Sequence, residues 1–164
     1  MRTHTMVDSP VGTLTLVATD DTLSGVYVED QLHLPDPSTL GERAGSGFEQ
    51  AAEQLEEYFA GQRTDFTLRT RLEGSGFQRR IWQALTGIPY GQTWSYTRLA
   101  EAVGRPDRLR AVAATNGRNP IAVVVPCHRV VGSDGSLTGY AGGLARKRFL
   151  LDLERDGSRQ ERLF

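Results

Sequence analysis

The sequence predicts a mixed α/β (α+β) chain: a small antiparallel sheet with one helix first, then a mostly helical half. Three observations predict it. The first thirty residues alternate apolar with small or polar residues, the period of two that half-buried strands need. From Phe48 the apolar spacing becomes helical, and from Phe77 helical stretches joined by Gly- and Pro-containing turns dominate. Charge divides along the same line. Residues 1–74 carry 5 Arg against 13 Asp and Glu, a balance of −8, while residues 75–164 carry 13 Arg and 1 Lys against 7 acids, a balance of +7. Glu73-Gly74-Ser75-Gly76 is the boundary between an N-terminal unit, residues 1–74, and a C-terminal unit, residues 75–164.

Each element follows from local residues. Thr3 to Val7 forms the first strand and Ser9-Pro10 ends it. Gly12 to Ala18 forms the second, Asp20-Asp21 a turn, and Leu23 to Val28 the third, giving a meander with one buried face. Gln31 to Gly47, rich in Pro, Gly and Ser, reads as a surface loop. Phe48 to Ala60 is a helix, with Ala51, Leu55 and Tyr58 on its apolar side, Glu53, Glu56 and Glu57 on a solvated face, and Gly61 as its stop. Phe66 to Leu72 alternates as a short strand. Ser75 caps a helix from Phe77 to Leu85.

After the turn Ile88-Pro89-Tyr90-Gly91, Ser95 to Val103 has helical spacing, which Gly104-Arg105-Pro106-Asp107 breaks. Asp107 is placed to cap a second helix through Leu109, Val112, Ala113 and Asn116. Two short helices about a tight turn match a helix-turn-helix, although many helical hairpins share that pattern. Ile121 to Val125 is wholly apolar and mostly β-branched, and reads as a buried strand or extended segment. Gly132 to Gly143 is a glycine-rich loop. Leu144 to Leu153 is the last helix, with Leu144, Phe149, Leu150 and Leu153 toward the core, and the polar tail from about Arg155 is expected to fray.

Composition narrows the function classes. No run of about 18 apolar residues exists to span a bilayer, and the first ten residues lack the apolar core of a secretory signal. Cys127 is the one cysteine, so an internal disulfide framework and a zinc site built on several thiolates are excluded, and a reducing, cytoplasmic setting is the simplest. The basic half fits a polyanion such as nucleic acid. Mutual attraction of the two halves would give the same asymmetry.

Cys127 carries the sharpest chemical signal. A lone cysteine is commonly a small buried hydrophobe. Here Pro126 interrupts any regular ladder before it, and His128 and Arg129 follow, two groups able to favour the reactive thiolate. Neighbouring side chains on an extended segment point opposite ways, so His128 would act through a water. A base also needs an orienting partner. Glu101, Asp107, Asp134, Asp152 and Glu154 are the candidates, and the pattern does not choose among them.

Pro126-Cys127-His128-Arg129-Val130 resembles the signature of the 6-O-alkylguanine-DNA alkyltransferases, also called methylated-DNA–protein-cysteine methyltransferases. Ile88-Pro89-Tyr90-Gly91, Ser95-Tyr96, Arg110-Ala111-Val112, Asn119-Pro120 and Gly139-Tyr140-Ala141-Gly142-Gly143 match as well, so the resemblance is specific from Phe77 to Glu154. It implies a ribonuclease-H-like N-terminal unit and a C-terminal unit that binds DNA and accepts the alkyl group. Cys127 would be nucleophile and acceptor, His128 the base acting through a water, Glu154 the residue that orients the imidazole, and Asn119 the residue that holds the cysteine loop. Tyr96 would donate to guanine N3 and crowd the rotating phosphate. Arg110 would fill the gap left by the flipped base, from a helix lying in the minor groove. Thr97, Arg105 and Ser133 would contact the DNA backbone, and Val130, Tyr140 and Ala141 would wall the substrate pocket, with a backbone N–H near Ala141 assisting departure of the purine.

The implied activity is stoichiometric repair: an alkyl group passes from the 6-oxygen of guanine, or the 4-oxygen of thymine, in double-stranded DNA to Cys127. No cofactor, metal or membrane is involved, and the protein acts as a monomer. Ala141 replaces a serine of some relatives, which should change pocket size and leave the mechanism intact. Asn116-Gly117-Arg118 departs from the stretch found in some members and bears on tolerance of bulky alkyl groups. The N-terminal zinc site of some relatives has no cysteine here, and His4 and His33 read as surface residues. No methylphosphotriester-sensing module is expected. The rival classes are a cysteine hydrolase using Cys127 and His128, a non-catalytic sensor of alkylated DNA, which would lack the acceptor cysteine, and a helix-turn-helix regulator, which would need a dimerisation element.

Overall fold

The computed structural model describes residues 1–163, with side chains through Gly157. Strand β1 (Arg2–Val7) pairs antiparallel with β2 (Leu14–Thr19), and β2 with β3 (Thr22–Val28). The β2–β3 turn is Asp20-Asp21, both at positive φ (49° and 66°), as a two-residue type I′ hairpin requires. Strand β4 (Glu42–Arg43) joins β1 in parallel, so the sheet order is β3-β2-β1-β4. It lies inside the stretch expected to be loop. Both its residues are exposed, and backbone pairing rather than a side-chain pattern defines it.

The strand expected over Phe66 to Leu72 does not form. That segment makes one bridge, Thr70 to Leu23, and one bond there, Arg71 N–H to the Leu23 carbonyl. The outer edge of β3 is divided, because Val26 pairs instead with the chain around Ile121: its N–H donates to Pro120, and its carbonyl accepts from Ala122. Neither segment has enough edge for a ladder.

Helix α1 (Glu49–Phe59) buries Ala51, Leu55 and Tyr58. Helix α2 (Gly76–Leu85) starts at a capping box, in which the Ser75 hydroxyl accepts from Gln78 N–H and the Gln78 side chain accepts from Ser75 N–H. Strand β5 (Trp94–Ser95) pairs in parallel with β6 (Val130–Val131), so the start of helix α3 (Tyr96–Ala102) lies beside the chain that follows Cys127. Gly104, at φ +75°, ends α3. A 3-10 turn, Pro106–Arg108, leads into helix α4 (Leu109–Asn116). Asp107 does not cap α4 as expected. Its carboxylate takes a two-point bond from Arg105, at 3.1 Å each, and α4 starts without a side-chain cap.

Ile121 to Val125 is buried but turned rather than extended. Val124 N–H bonds the Ala122 carbonyl, Val125 N–H bonds Ile121, and Val123 sits at φ +69°, a costly region for a β-branched residue. The apolar run signalled burial correctly and conformation wrongly. Helix α5 (Leu144–Leu163) continues past the expected stop at Leu153; Phe164 lies outside the described residues. Its buried stripe runs through Lys147, Leu150 and Glu154, which leaves Leu144 49% and Phe149 39% exposed, contrary to their expected place in the core. One apolar cluster joins the sheet, α1, α2, α3, α4 and α5. No helix among the described residues is long and apolar enough to cross a membrane.

Candidate active site

Cys127 opens a buried 3-10 turn, Cys127–Arg129. Asn119 shapes the approach to it. The Asn119 amide donates to the Val125 carbonyl at 2.7 Å and to Ile121 at 3.4 Å, while its oxygen accepts from Ile121 N–H at 3.0 Å. Those bonds fold the apolar run back on itself and aim it at the cysteine. Asn116, at the end of α4, adds a longer bond of 3.5 Å to the Cys127 carbonyl. Cys127 is 6% exposed. Burial pushes its thiol pKa up, against the hydrogen bond from Asn119 and the charge of Lys147. The opposing cation is therefore Lys147, from α5, and not Arg129 as the adjacent sequence suggested.

His128 and Arg129 both turn toward Glu154. His128 Nε2 lies 2.7 Å from Glu154 Oε2. Arg129 donates Nε to Oε1 at 2.8 Å and Nη2 to Oε2 at 3.0 Å, and its Nη1 holds the Ile88 carbonyl at 2.7 Å. The Tyr58 hydroxyl, from α1, donates to Oε2 at 2.5 Å. Burial would raise the Glu154 pKa, but the charges and hydrogen bonds of His128 and Arg129 bring it down to about 2. An ionised carboxylate only accepts, so His128 Nε2 carries a proton and donates it to Glu154. Nδ1 is buried and has no hydrogen-bond partner among the described residues. The ring is thus held by Nε2, with Nδ1 turned away from the carboxylate. Of the five acidic candidates, Glu154 alone reaches His128; Asp152, for instance, pairs with Arg155 at 2.5 Å on the surface.

A pocket of about 800 Å³ opens beside this centre. The loop from Thr138 to Ala141 forms one wall, α4 from Leu109 to Ala114 another, and Tyr96 stands between them. The Tyr96 hydroxyl donates to the Thr138 carbonyl at 3.0 Å. Tyr140 turns its hydroxyl inward, where it is buried and has no partner among the described residues; burial first, and the nearby Cys127 second, push its pKa well up. Lys147, fully buried, donates to the carbonyls of Val130 (2.6 Å) and Thr138 (2.8 Å), and burial lowers its pKa to about 8. It thus clips the loop to α5.

Tyr96, Arg110, Tyr140 and Ala141 come together at the pocket, with Cys127, His128, Asn119 and Glu154 buried apart from its lining. Val130 is fully buried and forms no part of the pocket wall; its backbone serves β6 and Lys147. Thr97 is exposed in the first turn of α3 and Ser133 on the loop, while Arg105 is half-buried and held by Asp107. His33, read as a plain surface residue, is exposed but lines the pocket beside Leu32. The sequence reading missed Leu32, Tyr58 and the part played by Lys147. Lys147 and Glu154 lie seven residues apart, two turns of one helix face. That spacing was the one available signal. Tyr58 and Leu32, far away in the chain, gave none.

Comparison with known proteins bears on this arrangement. Residues 76–156 match a family model described as 6-O-methylguanine DNA methyltransferase, DNA binding domain, and residues 2–72 match the ribonuclease-like domain of the same family. The methylated-DNA–protein-cysteine methyltransferase of Mycolicibacterium paratuberculosis is 53% identical over 91% of this chain and 90% of its own. That of Mycobacterium leprae is 49% identical at the same coverage. The crystal structure of Mycobacterium tuberculosis OGT in complex with DNA superposes with a TM-score of 0.88 at 44% identity, covering 94% of each chain.

Proposed function

The chain belongs to the 6-O-methylguanine DNA methyltransferase family, and on that premise we propose that it repairs alkylated duplex DNA by moving the alkyl group to Cys127 in a single turnover. The observation that carries this reading is the His128–Glu154 pair, locked by Arg129 and Tyr58 directly after the one cysteine and near a pocket walled by Tyr96 and Tyr140.

In this reading residues 75–164 carry recognition and chemistry, and residues 1–74 scaffold them. Helix α4, which bears Arg110, enters the minor groove, and Thr97, Arg105 and Ser133 meet the backbone. Arg110 replaces the extruded nucleotide in the stack, offsetting an unstacking cost of about a few kcal/mol. The thiol proton passes through a water to His128 Nδ1. The thiolate attacks the alkyl carbon; the S–C bond forms, the C–O bond to guanine breaks, and the electron pair leaves with the purine. The Tyr96 hydroxyl and a backbone N–H at Ala141 stabilise that developing anion. The product thioether has no good leaving group, so Cys127 is consumed. The protein works as a monomer in the cytoplasm, and the 4-oxygen of thymine is a second site of the same chemistry.

Intact-mass measurement after incubation with an O6-methylguanine duplex tests the reading. One methyl per chain, located on the Cys127 peptide and absent from Cys127→Ser, is expected. Label accepted by Cys127→Ser would overturn it, and a thiol regenerated over many turnovers would favour a hydrolase.

A further inference from the structure

The pocket is completed from the N-terminal half. Leu32 and His33, from the loop after β3, join its lining. Leu32 is 64% exposed. A large aliphatic side chain in water forgoes the stabilisation that burial brings, so its position calls for a physical account.

The backbone there is built, not loose. Leu32 N–H donates to the Ala141 carbonyl at 2.8 Å. The Gln31 side chain accepts from Val28 N–H at 2.7 Å and donates to the Leu32 carbonyl at 3.3 Å. Asp30 and His33 both sit at positive φ (61° and 62°), which sets the direction of the turn. Leu32 is thus latched to the residue whose N–H, in the proposed mechanism, faces the oxygen that carries the alkyl group. A methyl group is too short to leave the neighbourhood of the sulfur. A longer one that extends past Ala141 into the pocket meets the lining to which Leu32 contributes.

We infer that Leu32 is a specificity-determining residue for the reaction: its side chain is the outer wall against which alkyl groups larger than methyl pack. This rests on the alkyl-transfer reading. The latch uses only backbone atoms, so Leu32→Ala keeps it and removes the wall. Leu34, 49% exposed on the same loop and outside the pocket lining, is the control.

The test measures single-turnover alkylation of the full chain by intact mass, with duplexes carrying O6-methylguanine or O6-benzylguanine. Leu32→Ala should lower the benzyl-to-methyl rate ratio by about tenfold, the lower end of what a hydrophobic contact discriminates. Leu34→Ala should leave the ratio unchanged. Because a ratio is read, partial misfolding cancels. An unchanged ratio in Leu32→Ala, an equal fall in Leu34→Ala, or a wild-type chain that takes methyl and not benzyl would overturn this inference alone. No alkylation from either duplex would overturn the alkyl-transfer reading itself.

Discussion

Glu154→Gln is the substitution that probes the centre most directly. Glu154 is 1% exposed and takes bonds from Tyr58, His128 and Arg129. Its pKa moves from 4.5 to about 2 on folding, which at 1.36 kcal/mol per unit is worth about 3 kcal/mol. The sign follows from the direction. A depressed carboxylate stabilises the fold fully above its unfolded pKa, and that contribution is lost as pH falls through the folded value, here between about 4.5 and about 2. Glutamine keeps the shape, but it removes the charge and turns an amide N–H toward donors. Arg129, 8% exposed, is then left without its counter-charge. Removing one partner of a buried pair costs about 3–5 kcal/mol, within the stability of a typical domain of about 5–15 kcal/mol. Urea unfolding at several pH values reads both effects. The variant should be the weaker protein at pH 7, and the gap should narrow by about 3 kcal/mol on acidification to pH 2. A gap that stays constant across that window would refute the assignment of the low pKa to this network.

Four further outcomes are expected. Asn119→Ala orphans Ile121 N–H, at about 1–3 kcal/mol, and leaves the Val125 carbonyl with Cys127 N–H alone; thermal unfolding should register the loss and alkyl transfer should fall at least as steeply, whereas unchanged transfer would show that the loop holds itself. Lys147→Met removes the cation that opposes the burial-driven rise of the Cys127 pKa, so the pH profile of thiol alkylation should move to higher pH; a shift to lower pH would contradict this. Arg110→Ala should slow repair of duplex DNA more than reaction with the free modified base, and duplex binding by the wild type should weaken with added salt; equal losses on both substrates would count against a place in the base stack. Asp107→Ala should leave the midpoint of a denaturant titration unchanged, because its pair with Arg105 is exposed; a lowered midpoint would restore it as a helix cap.

What was legible in the sequence was whatever local chemistry decides. The cap at Ser75, the turn at Asp20-Asp21 and the break at Gly104 each follow from a few adjacent residues. Ile121 to Val125 was misread because an apolar run reports burial and not backbone path; the path is set by Asn119, whose bonds no periodicity records. Strand β4 escaped because its exposed side chains carry no pattern. Asp107 was the right type for a cap, but Arg105, two residues away, competes for its carboxylate. Within the site, residues around the cysteine could be named because they are contiguous. Tyr58, Lys147 and Leu32 become part of it only once α1, α5 and the loop after β3 converge. Leu144 and Phe149 were assigned inward because they are apolar, while two charged residues occupy the buried stripe of α5.

The bond from Tyr58 to Glu154 crosses between the two halves of the chain, as does the pairing of Val26 with Ile121. A chimera that joined the first half of one relative to the second half of another would therefore exchange working parts. Its imidazole would be tuned by whichever parent supplied position 58, and its cysteine loop would rest on a foreign strand edge. Compatibility at those two seams, more than overall identity, would decide whether such a hybrid reacts.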